Sequence, residues 1–331
     1  MARYVGLIQQ RNHMRNLLTK KTSYTFDYPE ALAFADKQNS VFWTFDEIDL
    51  EKDVHSILTD FTPSERHGVT TALKLFTKYE LIVGNEYWSG IVKPNFQHPD
   101  IELMADAFCY FESNVHARFY NRINELLGLA TEEFHHSWQY DPVLASRISY
   151  LDSIVSGKDL PLSLAVFSLM EGCVLYSSFA FLKHFQSNGK NKLSNLVAGI
   201  NFSVRDENIH HEGGSWLFRT YMEENKVDKV WMRDRVYQAA KALVEHEHRI
   251  VDLLFSQGDI EGISATSMKA FVNSRANICL SNLGFDALFD ETGDTISEWF
   301  YLGISTATIH DFFAKVGNQY NRKWNEKGFT W

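Results

Sequence analysis

One acid interrupts the most apolar helical stretch of this chain. Glu171 stands in FSLMEGCVLYSSFAF, with Phe167, Leu169, Met170, Val174, Leu175 and Phe179 around it. An ionised carboxylate in such surroundings is costly, so it must hold a proton, pair with a partner or bind a cation. The helix that carries Glu171 therefore needs neighbours that bring compensating groups to its buried face. An Arg or Tyr on one adjacent helix would satisfy a single glutamate. The other helices decide whether more is on offer.

Helix is the dominant pattern. The six prolines, at 29, 63, 94, 99, 142 and 161, all lie in the first half, and 162–331 is proline-free, which permits long helices. Apolar residues recur at three- and four-residue spacing, predicting helices over 64–91, 99–127, 162–186, 191–224, 228–256 and 264–283. Pro63 and Pro99 suit helix starts. Alternating strands, internal repeats, low-complexity tracts and long linkers are not evident. Residues 1–40 read as an irregular arm, 41–319 as one helical domain, and 320–331 as a polar tail with Trp324, Phe329 and Trp331.

Residues three or four apart share a helix face. Glu112 and His116 are four apart on the second predicted helix, and Glu207 and His210 three apart on the fourth. Each pair offers one carboxylate oxygen and one imidazole nitrogen to a common point. Glu80, in FTKYELIVGNEYW, and Glu171 add one acid each from two further helices. A lone pair of this kind is usually a solvated helix face. Two pairs and two single acids on four helices are the donor set of a dimetal carboxylate site in a four-helix bundle. Four carboxylates and two imidazoles suit iron or manganese.

Composition narrows the alternatives. The 331 residues are 45% hydrophobic and 14% aromatic, which marks a globular chain. A net charge of −10 argues against a nucleic-acid partner. No GxGxxG or P-loop motif supports nucleotide binding. Cys109, Cys173 and Cys279 are few and widely spaced, which points to a reducing, cytoplasmic setting. The polar stretch 1–20 lacks a signal-peptide core, and no run of about 18 apolar residues predicts a membrane span.

Five segments resemble the small subunit of class I ribonucleotide reductase: WTFDEIDLEKD (43–53), ESNVHARFY (112–120), MEGCVLYSSFAF (170–181), VRDENIHHE (204–212) and the later run GDIEGISATSMKAFVNSRANICLSNLGF. The similarity spans roughly 35–320 in order and is strongest in RDENIH. It implies an all-α, ferritin-like helical bundle, a homodimer, an oxidoreductase role, and two metal ions per chain, iron first, with Mn/Fe or Mn/Mn as variants. Glu80, Glu112, His116, Glu171, Glu207 and His210 would be the ligands. Tyr120 would carry a radical in an apolar pocket with Leu175 and Phe179. Trp43 and Asp206, with His116, would relay it to a large catalytic subunit that holds the tail and makes deoxyribonucleotides. Dioxygen or an oxidant delivered by a flavoprotein would activate the metals.

Four features depart from the family pattern. Glu80 replaces the usual Asp. One extra residue separates Glu112 from His116; counting back three gives Ser113, a poor ligand, so Glu112 is expected, with a local helix bulge in compensation. Ser203 stands where the radical pocket is often apolar. The family's tail tyrosine has no obvious match here, leaving Trp331 or Phe329, or a tail that binds without carrying the radical. A dimetal oxidase of the same fold acting on a bound small molecule is the alternative, and a metal-storage protein a third reading. His246 and His248 diverge on a helix and read as surface residues. His135 and His136 read as solvated loop residues, and His211 points away from His210. Tyr110, Tyr176 and Tyr301 lack the phase of Tyr120 relative to a ligand.

Overall fold

The computed structural model describes residues 15–155, 158–302 and 304. Among them there is no β-strand, only an isolated bridge between Ile260 and Ile263. The helices are α1 (Pro29–Ser40), α2 (Glu51–Thr59), α3 (Pro63–Leu81), α4 (Pro99–Tyr110), α5 (Glu132–His136), α6 (Pro142–Val155), α7 (Leu160–Leu169), α8 (Ser194–Glu224), α9 (Lys229–Leu254) and α10 (Ala265–Asn282). Three of them continue past their α-helical part. After α3 comes a π-helical stretch, Ile82–Val92. After α4 come Phe111–His116 in π geometry and Ala117–Leu126 in α geometry. After α7 come Met170–Val174 in π geometry and Tyr176–Lys183 in α geometry.

The sequence sets most of these ends. At α3, Thr62 accepts from the Glu65 backbone at 3.2 Å while Glu65 accepts from the Thr62 backbone at 2.8 Å, with Pro63 in the first turn. Asp228 caps α9 through the Trp231 N–H at 2.7 Å. Helix α8 begins at Ser194, later than the apolar period predicts, because Asn191 and Leu193 adopt positive φ of 49° and 57°. Its first turn is satisfied from afar: Asp53 accepts from the Leu196 N–H at 2.6 Å.

Residues 29–40 correct the expectation of an irregular arm. They form α1, whose Ala31 and Ala35 are buried, and the helix packs against α4. Its apolar signal is weak because small alanines make the contact. His135 and His136 likewise lie in the short helix α5, not in a loop. The bundle core is built from α3, α4, α7 and α8 with their continuations. The most apolar segment, Leu160–Ser187, is the one described stretch long and apolar enough to cross a membrane, and it is buried throughout its apolar window. The expected tail, 320–331, lies outside the described residues.

Candidate metal centre

Four helices bring six side chains to one point in the core. Glu80 comes from the end of α3, Glu112 and His116 from the π stretch after α4, Glu171 from the π stretch after α7, and Glu207 and His210 from α8. None is more than 3% exposed. Their donor atoms fall into two overlapping sets, Glu80–Glu112–His116–Glu207 and Glu112–Glu171–Glu207–His210, each with all atoms within 4.8 Å of one another. Glu112 and Glu207 belong to both sets. The arrangement therefore offers two adjacent donor sets that could each hold a cation, with two carboxylates common to both.

The π stretch at Phe111–His116 answers the spacing problem. Each π turn takes up one residue more than an α turn, so a pair four apart stays in phase. Glu112 faces the cage, and His116 Nδ1 lies 3.3 Å from Glu112 Oε2, 3.5 Å from Glu80 Oε2 and 3.2 Å from Glu207 Oε1. Ser113 turns away and donates to the Cys109 carbonyl at 2.7 Å. Gly84 permits the close approach of the two helices: a Cβ there would stand 3.0 Å from the Glu112 Cβ and 3.3 Å from the Cys109 carbonyl oxygen.

Several cage atoms have no hydrogen-bond partner despite full burial. They are both oxygens of Glu80, Oε1 of Glu112, Oε1 of Glu207, and both ring nitrogens of His210. Such atoms are costly unless a cation takes their lone pairs. His210 Nδ1 also lies against Glu112 Oε1, 3.9 Å from Glu207 Oε2 and 4.0 Å from Glu171 Oε2. The donor set and its orphaned atoms fit a pair of iron or manganese ions. Burial, then the neighbouring Glu112, pushes the Glu80 carboxyl well above the usual range; burial, then Glu112 and Glu207, does the same to Glu171. Burial works against charge on Glu112 too, yet His210 and His116 hold its carboxyl well below the usual range.

A hydrogen-bonded path leads outward. Asp206 Oδ2 lies 3.1 Å from His116 Nε2 and accepts from the Trp43 indole N–H at 2.7 Å. His116 thus turns Nδ1 to the cage and Nε2 to Asp206, a pairing that fixes ring orientation. The Trp43 and His116 rings lie 5.9 Å apart. Tyr120 is fully buried and donates from its phenol to Ser203 Oγ at 2.9 Å. Its ring stacks on Phe76 at 4.2 Å, and Phe76 stacks on Phe179 at 5.2 Å. Leu175 lines a small cavity with Glu80, Glu112, Glu171 and Glu207.

The residues set aside in the sequence lie elsewhere. His211 is buried against the Ser168 carbonyl and Asn282. His248 meets Asn273 and the Lys269 carbonyl, and both His246 and His248 are half-buried. Tyr110 is exposed, while Tyr176 and Tyr301 gather around Arg275. Three aromatic residues near the cage went unremarked in the sequence. Trp88 donates to Glu171 Oε1 at 2.9 Å. Tyr79 lines the cage cavity, and Tyr87 stacks on Phe167 at 3.5 Å. Their aromatic spacing looks like ordinary core, and only the π stretch after α3 brings Trp88 to Glu171.

Comparison with known proteins agrees with the helical fold and with a dinuclear metal site. The family model described as ribonucleotide reductase, small chain, matches residues 20–296. The chain is 25% identical over 326 residues to a protein of Invertebrate iridescent virus 3 named as a probable ribonucleoside-diphosphate reductase small subunit, covering 92% of this chain and 85% of that one. It is 24% identical over 288 residues to the ribonucleoside-diphosphate reductase 2 subunit beta of Escherichia coli strain K12, covering 85% and 87%. In fold it resembles the dimanganese(II)-NrdF of Streptococcus sanguinis, with a TM-score of 0.71, 23% identity, and coverage of 86% of this chain and 99% of that one.

Proposed function

The chain belongs to the ribonucleotide reductase small-chain family, and from that premise we propose that its cage holds two metal ions which serve to make a radical on Tyr120. Glu80, Glu112, His116, Glu171, Glu207 and His210 are the proposed ligands, with Glu112 and Glu207 shared. The observation that carries the reading is the overlap of two donor sets beside a buried tyrosine. Iron and manganese both suit the donors, and a structural relative is a dimanganese protein.

Oxidised by dioxygen or by an oxidant from a flavoprotein, the bound pair would supply a one-electron oxidant inside the fold. Tyr120 would be the residue oxidised by such a pair, its phenol held in place by the hydrogen bond to Ser203 Oγ. The stacked Phe76 and the surrounding core keep water away from the phenoxyl. Burial, then the charge of Glu80, holds the phenol well above its ordinary pKa, so Tyr120 is neutral before oxidation. His116, Asp206 and Trp43 form the conduit by which the oxidising equivalent leaves for a large catalytic subunit. The tail at 320–331 is the proposed docking segment for that partner, 41–319 the helical domain, and a homodimer the proposed assembly.

The alternative, a dimetal oxidase acting on a bound small molecule, needs an apolar channel at the metals. The cavity lined by Tyr79, Glu80, Glu112, Glu171 and Glu207 has a volume of about 10 Å³, room for about one water-sized molecule. That favours the radical subunit. Tyr120→Phe tests it: the variant should bind two metals per chain and lose both the tyrosyl signal in electron paramagnetic resonance and ribonucleotide reduction with a large subunit. An unchanged signal refutes the role of Tyr120.

A further inference from the structure

The two outer carboxylates of the cage are held differently. Glu80 and Glu171 each belong to only one of the two donor sets. Both oxygens of Glu80 lack a hydrogen-bond partner. Glu171 has one oxygen engaged: Trp88 Nε1–H donates to Oε1 at 2.9 Å, while Oε2 lies on the side of His210 at 4.0 Å. Trp88 is itself immobilised. It is fully buried, meets Phe108 edge-on with ring centroids 4.8 Å apart and Tyr87 at 4.8 Å, and Phe108 in turn covers the His210 ring at 4.4 Å.

We propose that Trp88 is a positioning residue that restricts Glu171 to one-oxygen coordination, so that the cation beside His210 receives fewer protein oxygens than the cation beside His116. The reading rests on the dimetal assignment above. A buried indole N–H loses a full hydrogen bond if its acceptor leaves, so Oε1 stays turned toward Trp88 and Oε2 is the oxygen turned toward His210. Glu80 has no comparable donor from outside the cage: its near neighbours are the cage residues Glu112 and His116. The cage is therefore asymmetric through its outer hydrogen bonding as well as through its ligands.

Trp88→Phe removes the donor and keeps an aromatic ring against Phe108. Hydrogen-bond partners of metal ligands typically contribute about 10–100-fold in affinity, so manganese(II) titration followed by electron paramagnetic resonance should show one of two binding steps weakened by about that factor and the other unchanged. Tyr87→Phe, which removes a buried hydroxyl that has no partner, should leave both steps as in wild type. A crystal structure of the wild-type protein loaded with manganese(II) gives a test that needs no variant: Glu171 should bind through one oxygen, with Oε1 still on Trp88. Glu171 chelating through both oxygens, or equal affinities in Trp88→Phe and wild type, overturns the Trp88 assignment. A wild-type protein that takes up fewer than two ions overturns the dimetal reading instead.

Discussion

Glu171→Gln should stabilise the metal-free protein and destabilise the metal-loaded one. The amide fills nearly the same volume, and its carbonyl oxygen still accepts from Trp88 at the position of Oε1. What disappears is a buried acid whose donor atom lies within 4.8 Å of those of Glu112 and Glu207. Two unit charges at that separation repel by about 3 kcal/mol at an effective dielectric of about 20. Protonation already relieves part of this, since burial and the neighbouring acids keep the Glu171 carboxyl well above its ordinary range. A net gain of about 1–3 kcal/mol for the metal-free form follows, or a rise of a few degrees in Tm for a chain of this size. With metal bound the sign reverses, because an amide oxygen is a weaker ligand than a carboxylate. Calorimetry on both forms measures the two shifts. A metal-free variant that melts below wild type would refute the claim that the cage stores repulsion.

Three further outcomes follow. Asp206→Ala leaves the Trp43 indole N–H and His116 Nε2 without their shared acceptor; metal affinity at His116 should fall about 10–100-fold, and a radical still formed on Tyr120 should no longer support nucleotide reduction. Ser203→Ala removes the acceptor of the Tyr120 phenol; it should cost about 1–3 kcal/mol in thermal stability and change the high-field resonance spectrum of the radical. Lys183 is buried against the Phe300 carbonyl, and burial pushes its ammonium down to about 7. Between that value and the ordinary lysine value of 10.5 the unfolded chain binds the proton and the native chain does not, so stability from this residue rises with pH across that window. Lys183→Met should remove a slope of at most about 1.4 kcal/mol per pH unit, visible in urea melts between pH 7 and pH 10.

The four helices that carry the buried acid cluster were legible because each carries an acid in phase with apolar residues. Glu171 announced itself by standing in a run that no other charged residue interrupts, and RDENIH placed Asp206, Glu207 and His210 together. Helix α1 was missed because it is short and makes its contacts through Ala31 and Ala35, which carry little periodic signal. The extents of the π stretches were also hidden. Periodicity measured at 100° per residue does not register one inserted residue, although the four-residue gap between Glu112 and His116 hinted at it. Trp88 escaped for that reason: its phase relative to Glu80 is set by the π turns of Ile82–Val92. The Tyr120–Ser203 contact joins residues 83 apart in sequence and depends on how α8 docks.

The most direct test of the account is a crystal structure of the protein loaded with manganese(II) or iron(II), with anomalous scattering used to place the ions. Two ions per chain should appear about 3.5–4 Å apart, bridged by Glu112 and Glu207, with His116 on one and His210 on the other. A single ion, or ions bound anywhere other than between these four helices, would contradict it.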